Sequence, residues 1–434
     1  MKNIKRIIAK IKKTLKVIGP GVVTGAADDE PSGIATYTQT GAQFGYGQLW
    51  ATACIFPFLV GIQEACARIG AVTGKGLAAV IKTHYNKKIL LFAVALVFIA
   101  NTINIGADIG AMAAAAKLII PINFTILTLF LTTVILLLEI FTSYKTYSKI
   151  LKWLILALLA YPITVFFFFQ PWLEIFTATF FAHIQFTFAF FFIITGVLGT
   201  TISPYMFFWE ASQEVEEEKS RHIWRKNLFP RGMKKFIHNL RLDNFFGMLF
   251  SALGAWCIIV VAATVLHSSG VTDIRNAADA ARALEPLVNT FPNAGLIAKI
   301  IFSVGIIGLG LLAVPVLSGS ASYALSEAFN WDEGLNRKLK RAKHFYGVII
   351  VATLIGLMIN FVGFDPMKAL VFTAVFNGVV SVPLLFIIAR VARNKEIMGD
   401  YRSGGVSNFL VWGTFCIMAV SAIAMFITLG RGMF

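Results

Sequence analysis

Long apolar runs limit what this chain can fold into more than any other feature. About eleven of them recur along the 434 residues, and most reach the roughly 20 residues that an α-helix needs to cross a bilayer. A transmembrane β-barrel would instead show short segments of alternating polarity. We therefore predict an all-α polytopic membrane protein. The predicted spans lie near 18–45, 49–70, 89–116, 121–142, 150–169, 187–211, 243–267, 297–320, 346–363, 367–390 and 408–430.

The amino-acid composition excludes several other classes of protein. Hydrophobic residues make up 57% of the chain and charged residues only 14%, against about 25% in an ordinary soluble domain. This balance excludes a soluble enzyme, a disordered chain and a fibrous protein. The four cysteines stand singly in apolar stretches, which indicates small packing residues rather than a disulfide framework.

The net charge of +16 could indicate a nucleic-acid partner, but the distribution of the basic residues argues against one. Most of the Lys and Arg residues fall in the N-terminal arm 1–17 and in every second loop, as the positive-inside rule requires. We therefore predict a plasma-membrane protein with a cytoplasmic N-terminus and an external C-terminus, whose basic loops face anionic lipid. The arm 1–17 alternates basic and apolar residues and is predicted to lie on the cytoplasmic surface as an amphipathic helix.

Charged residues interrupt the first apolar run near its middle. A single charge at the bilayer centre costs about 2.5–3.5 kcal/mol even on a lenient scale, so three adjacent ones cannot all face lipid. A proline and a glycine directly afterwards favour an unwound backbone, which membranes tolerate only beside a protein or water cavity. The interruption comprises Asp28, Asp29, Glu30, Pro31, Ser32 and Gly33.

A second interruption lies in the sixth run, where Thr200, Thr201, Ser203 and Pro204 replace apolar residues. Five spans precede this broken one, which predicts two repeats of five spans in inverted orientation and one additional helix. Interrupted spans at corresponding places in two halves indicate a transporter site at the repeat interface. The predicted units are the arm 1–17, a first repeat 18–170, a second repeat 187–391 and a C-terminal helix 408–430.

The residues around the first interruption resemble a known family. The stretch GPGVVTGAADDEPSGIATYTQTGAQFGYGQLW at 19–50 and the stretch ARIGAVTGKGL at 67–77 are similar to the Nramp family of proton-coupled divalent-metal transporters. The resemblance implies the inverted five-plus-five fold, which amino-acid symporters also have. It also implies transport of a divalent metal together with protons.

The chain departs from the family pattern at the predicted site. Family members carry Asp-Pro-Gly-Asn in the first break, where this chain has Glu30, Pro31, Ser32 and Gly33. They carry Met-Pro-His in the sixth span, where this chain has Ser203-Pro204-Tyr205. The coordinating amide, the thioether and a histidine are therefore absent. In the remaining family positions, Asn377 replaces a glutamine, Glu210 replaces a second histidine, and Asp108 matches an acid of the third span.

The candidate site consists of oxygen donors. Carboxylate, hydroxyl and carbonyl oxygens suit hard cations, whereas thioethers and thiolates favour soft ones, so we predict Mn²⁺ or Mg²⁺ as the cargo. No resident cofactor is predicted. The predicted metal ligands are Asp29, Glu30, Thr200, Ser203 and Asn377, and the predicted lining residues are Asp28, Pro31, Ser32, Gly33, Pro204 and Tyr205.

Other charges in the spans have two interpretations each. Asp108 is either a proton relay or a polar bridge between helices, and Glu210 is either part of a proton path or a cytoplasmic-end carboxylate near Ser212. Glu64 and Arg68 are four residues apart on the second span, which predicts a local ion pair.

Three other function classes compete with metal transport. The same fold carries organic solutes, so a transporter of an amino acid or an amine remains the alternative; three acids would attract a cation and repel a carboxylate. An enzyme is not expected, because no HExxH or GxSG pattern lies on a span, and the P-loop of an ATP-driven pump is missing. The sequence leaves the oligomeric state open.

Overall fold

The computed structural model describes residues 25, 28–142, 159–167, 170–220, 230–289 and 292–432. Within these ranges the regular structure is entirely helical. The helices of the first half are α1 (Pro31–Phe44), α2 (Trp50–Thr73), α3 (Leu77–His84), α4 (Lys87–Lys117), α5 (Phe124–Phe141), α6 (Ala160–Phe167) and α7 (Trp172–Phe180).

The second half continues with longer helices joined by short ones. A π-helical turn at Ala263–His267 extends α10, and a 3₁₀ turn at Arg282–Leu284 joins α11 to α12. The helices are α8 (Phe188–Thr201), α9 (Pro204–Ser220), α10 (Pro230–Ala262), α11 (Ala277–Ala281), α12 (Glu285–Val288), α13 (Ala294–Phe329), α14 (Lys343–Ile359), α15 (Pro366–Arg393), α16 (Lys395–Met398) and α17 (Gly405–Gly430).

Eight segments of the described residues are long and apolar enough to cross a membrane, and α14 is a shorter apolar helix. Together they correspond to nine of the predicted spans, with α8 and α9 forming the broken sixth one. The predicted first and fifth spans fall partly outside the described residues, and the arm 1–17 falls wholly outside them. The repeat boundaries 18–170 and 187–391 stay predictions, as does the assignment of 408–430, which α17 covers, to neither repeat.

Close backbone contacts hold the helices together at glycines. A Cβ added at Gly199 of α8 would lie 2.1 Å from the carbonyl oxygen of Ala374 and 2.3 Å from the nitrogen of Gly378, both on α15. A Cβ at Gly41 of α1 would lie 2.4 Å from the carbonyl oxygen of Ile259 on α10. Small residues allow helix backbones to pack this closely. In lipid, where no hydrophobic driving force acts between helices, the van der Waals contacts of this packing stabilise their association.

The Gly199 contact leads to a first prediction. We expect Gly199→Ala to lower the free energy of unfolding by about 1–3 kcal/mol, because the added methyl group meets backbone atoms that cannot move aside locally. Gly347→Ala in α14 is the matched control, since nothing lies within 4 Å of its Cβ position. Thermal unfolding in detergent gives the melting temperature of each variant. Equal melting temperatures for Gly199→Ala and Gly347→Ala would contradict the prediction.

A buried arginine attaches the C-terminal helix to the rest of the protein. The predicted ion pair of Glu64 and Arg68 is confirmed, with Arg68 Nε donating to Glu64 Oε1 at 3.0 Å. The same guanidinium donates to the Tyr401 carbonyl at 2.6 Å and to the hydroxyls of Ser403 and Ser407 at 2.9 and 3.0 Å. Arg68 therefore fixes the segment that enters α17 against the end of α2.

Candidate functional site

The predicted break in the first span is confirmed. Asp28 is helical, Asp29 lies in a turn, and the extended Glu30 precedes the start of α1 at Pro31. Proline is common at the first position of a helix, because the backbone N–H that it lacks has no partner there and its φ already has the helical value. The carbonyl of Glu30 accepts the first hydrogen bonds of α1, from Gly33 N at 2.9 Å and Ile34 N at 3.2 Å.

The predicted break in the sixth span is confirmed as well. Helix α8 ends at Thr201, and α9 begins at Pro204. The Ser203 hydroxyl lies 2.8 and 2.9 Å from the carbonyl oxygens of Gly199 and Thr200, to which it donates. It thereby provides a hydrogen-bond donor for carbonyls at the end of α8. Ser381 of α15 donates to the carbonyl of Ile202 at 2.8 Å. Hydroxyls thus replace the helical hydrogen bonds that the break removes.

The carboxylate of Glu30 lies where the two breaks meet. Its Oε1 accepts hydrogen bonds from Ser32 Oγ and from Asn104 Nδ2 on α4, both at 2.7 Å. The hydroxyls of Ser32 and Thr200 are 3.3 Å apart, which connects the start of α1 with the end of α8. Glu30 is fully buried, and its Oε2 has no hydrogen-bond partner among the described residues. One carboxylate oxygen therefore remains free for a ligand.

Asp28 and Asp29 face a different helix. Ser251 of α10 donates to Asp28 Oδ2 and lies 3.4 Å from Asp29 Oδ1. A Cβ added at Gly254 would lie 2.9 Å from Asp29 Oδ2, so α10 passes directly beside this carboxylate. Within the described residues no three Asp, Glu, His or Cys side chains form a metal-binding group. The three adjacent acids therefore divide between α4 and α10, with Glu30 bonded to Asn104 and Asp28 bonded to Ser251.

The remaining predicted site residues lie in the surrounding helices. Gly33 is close to α8, since an added Cβ would lie 3.3 Å from Thr200 Oγ1. Asn377 and Tyr205 are buried on α15 and α9, and the Nδ2 of Asn377 has no hydrogen-bond partner in the described structure. Glu210 is also buried, seven residues after Ser203 along the chain.

Asp108 extends the polar face of α4 that contacts Glu30. It lies one helical turn beyond Asn104, is fully buried and interacts electrostatically with Glu30. Neither of its carboxylate oxygens has a hydrogen-bond partner in the described part of the chain. Asp108 thus lies on the same helix face as Asn104, and its role as a proton relay or as a polar bridge stays a prediction.

Sequence reasoning missed three side chains that shape the site: Asn104, Ser251 and Ser381. An asparagine four residues before a buried aspartate in an apolar span was a usable signal, because the two residues share one face of the helix. Ser251 and Ser381 are single serines in apolar spans, and the local pattern does not distinguish them from serines that bond their own helix.

Two facing broken helices with a buried carboxylate between them define a class of membrane protein, the inverted-repeat secondary transporters. The chain belongs to the Natural resistance-associated macrophage protein-like family, Nramp, whose model matches residues 21–428. The predicted family is thereby confirmed. Members of this family are transporters, so the prediction that the chain is not an enzyme is also confirmed.

Individual relatives agree with this family. The chain is 26% identical over 406 residues to the divalent metal cation transporter MntH of Klebsiella pneumoniae, which covers 91% of this chain and 89% of the relative. Its fold is similar to that of the Eremococcus coleocola manganese transporter in complex with an aromatic bis-isothiourea substituted compound. That match has a TM-score of 0.77 and 14% identity, and it covers 97% of this chain and 87% of the other.

More distant structures share the same architecture. The structure of MhsT in complex with L-phenylalanine matches with a TM-score of 0.57 and 13% identity, over 94% of this chain and 98% of the other. A nucleobase-cation-symport-1 family transporter matches with a TM-score of 0.57 and 11% identity, over 95% of this chain and 90% of the other. The predicted all-α fold with broken helices is confirmed by these matches.

Proposed function

We propose that the protein is a secondary active transporter that imports a divalent metal cation. The observation that carries the proposal is the free, buried Oε2 of Glu30 between the ends of α1 and α8. The hydroxyls of Ser32 and Thr200 and the side chain of Asn104 lie beside this carboxylate. Half-helix ends add partial charges that act on an ion at the same point. The family and the curated relative's name support a divalent metal as the cargo.

A hard cation fits these donors best. Oxygen ligands suit Mn²⁺ and Mg²⁺, and Ser203 stands where the family pattern has a soft thioether. Uptake by vesicles that contain the purified protein tests this directly, with Mn²⁺, Mg²⁺, Ca²⁺ and labelled amino acids offered with and without a pH gradient. Uptake of an amino acid together with no binding of the cations at millimolar concentration would overturn the metal proposal.

Two observations favour the organic-solute alternative. Among the described residues, Asp28 and Asp29 do not join Glu30 in a three-carboxylate cluster, and MhsT, whose structure is a complex with L-phenylalanine, has a similar fold. A single carboxylate with neighbouring hydroxyls could hold an ammonium group as well as a metal. The uptake panel distinguishes these two functions.

Replacement of Ser203 tests the selectivity. We expect Ser203→Met to raise the binding of Cd²⁺ relative to Mn²⁺ severalfold, because the thioether adds a soft donor at the break. Ser203→Ala is the control, since it removes the hydrogen bonds to Gly199 and Thr200 without adding sulfur. Calorimetry on purified protein measures the ratio. An equal ratio in the Met and Ala variants would show that position 203 does not contact the ion.

Protons are proposed to move through acids beside the site. Asp108 interacts electrostatically with Glu30 and has no hydrogen-bond partner among the described residues, which supports a role in binding a proton. Glu210 lies farther along α9, in the direction of the predicted cytoplasmic end. Coupling to protons predicts that an inwardly directed proton gradient accelerates metal uptake in the vesicle experiment.

The proposed location is the plasma membrane, with the N-terminus in the cytoplasm and the C-terminus outside. The distribution of basic residues supports this orientation. In a background without native cysteines, we expect Arg275→Cys to react with an impermeant thiol reagent in intact cells and Lys338→Cys to be protected. Both positions are exposed, so accessibility within the protein does not bias the comparison. The opposite labelling would reverse the orientation.

A further inference from the structure

A basic cavity lies apart from the broken helices, at the opposite end of α15 from its Asp365 cap. Its volume is about 440 Å³, and it opens between the end of α3, the last turns of α15 and the first half of α17. The residues that line it are His84, Tyr85, Ala389, Arg390, Arg393, Asn394 and Trp412.

The charged residues that line this cavity in the described part of the chain are all basic. Arg390 and Arg393 lie on one face of α15, and neither forms an ion pair within the described ranges of the chain. The nearest acids along the chain, Glu396 and Asp400, do not line the cavity. Two guanidinium groups with a histidine and an amide nearby provide several hydrogen-bond donors for one anion.

The cavity adjoins an apolar surface. Phe386, one turn before Arg390 on α15, is 44% exposed and packs against Trp412 and Phe415 with ring centroids 5.7 and 5.8 Å away. Phe409, on the same helix as Trp412, is 66% exposed. Apolar surface of this kind faces acyl chains, and tryptophan is typical of the boundary between lipid and water. This pattern indicates that the cavity lies near the level of the lipid headgroups.

We propose that this cavity is a binding site for an anionic phospholipid, whose phosphate contacts Arg390, Arg393 and His84 and whose acyl chains lie along Phe386 and Trp412. Charge complementarity supports this occupant, because the cytoplasmic leaflet is rich in anionic headgroups and basic pockets between transmembrane helices bind them. The site does not depend on which ion the protein carries. The assignment to the inner leaflet rests on the proposed orientation.

Residues on or next to three helices line the site. Its lipid would contact α3, α15 and α17 at once, and α15 also carries Asn377 and the Ser381 contact to the break. A bound lipid is therefore expected to stabilise the folded protein as any ligand of the native state does.

Native mass spectrometry of the purified full-length chain tests the site. Detergent-solubilised protein is titrated with dioleoyl-phosphatidylglycerol, and dioleoyl-phosphatidylcholine serves as the neutral comparison. We expect retained phosphatidylglycerol on the unmodified protein and roughly tenfold weaker binding for Arg390→Ala/Arg393→Ala. The matched control is Lys338→Ala/Lys340→Ala, which removes two exposed charges away from the cavity and should bind as the unmodified protein does.

Two further measurements distinguish loss of the lipid site from a damaged fold and from binding of a free anion. Arg390→Lys/Arg393→Lys keeps both charges and should restore part of the binding, which a damaged fold would not do. Inorganic phosphate at the same concentration should neither compete with the lipid nor raise the melting temperature as the lipid does. Equal phosphatidylglycerol binding by the Arg390→Ala/Arg393→Ala variant and its Lys338→Ala/Lys340→Ala control would overturn the proposal. Full competition by inorganic phosphate would also overturn it, since the cavity would then bind a free anion.

Discussion

Replacement of Glu30 by glutamine is expected to lower metal uptake roughly a hundredfold while the protein stays folded. The amide oxygen can still accept the hydrogen bonds from Ser32 and Asn104 that Oε1 accepts now, both at 2.7 Å. The amide nitrogen takes the position of Oε2, which has no hydrogen-bond partner among the described residues. The variant therefore removes the negative charge and little else. An interaction with a charged group is worth up to about 3 kcal/mol, which corresponds to that factor.

The chain provides a matched control for this experiment. Glu139 of α5 is a buried carboxylate whose Oε1 accepts a hydrogen bond from Ser318 at 2.7 Å and whose Oε2 has no hydrogen-bond partner in the described structure. Its hydrogen bond joins α5 to α13 and involves no residue of either break, so Glu139→Gln should transport nearly as the unmodified protein does. Uptake of Mn²⁺ by vesicles gives the rate, and size-exclusion chromatography gives the folded fraction. Unchanged uptake by Glu30→Gln, or an equal loss in both variants, would refute the assignment of Glu30 as a ligand.

Removal of the Arg68 side chain is expected to be the most destabilising of the changes considered. Arg68 is 2% exposed and donates to Glu64, to the Tyr401 carbonyl and to Ser403 and Ser407. Loss of one partner of a buried ion pair costs about 3–5 kcal/mol. Because Arg241 also donates to Glu64, at 2.9 Å, the carboxylate keeps one partner, and we expect Arg68→Ala to fall near the lower end of that range.

Thermal unfolding in detergent measures the loss of stability in Arg68→Ala, and a variant of an exposed ion pair serves as the control. Arg337 pairs with Asp332 at the surface, where their side chains are 47% and 69% exposed, so Arg337→Ala should cost less than about 1 kcal/mol. Arg68→Lys should lie between the two, since lysine keeps the charge but cannot form the forked contacts. If Arg68→Ala unfolded at the same temperature as Arg337→Ala, the network would not hold α17 in place.

The elements of the fold that sequence reasoning predicted depend on local chemistry. Long apolar runs match the length of a membrane-spanning helix, and nine of the predicted spans correspond to described helices or helix pairs. The two breaks were predictable because Pro31 and Pro204 each interrupt an apolar run beside polar residues. The ion pair of Glu64 with Arg68 was predictable because one helical turn separates them. The family could be predicted because its motifs are contiguous in the sequence and can be recognised without a structure.

Only the tertiary structure decided which side chains meet at the breaks. Asp28, Asp29 and Glu30 are neighbours in sequence, yet two face Ser251 on α10 and one faces Asn104 on α4. Unwinding after Asp28 turns successive side chains in different directions, so adjacency along the chain does not imply a common ligand set. The partners themselves are 74 and more than 200 residues away. Their placement depends on which helices pack together through glycine contacts. The apolar pattern of one helix predicts which of its faces is buried, but it does not predict which other helix packs against that face.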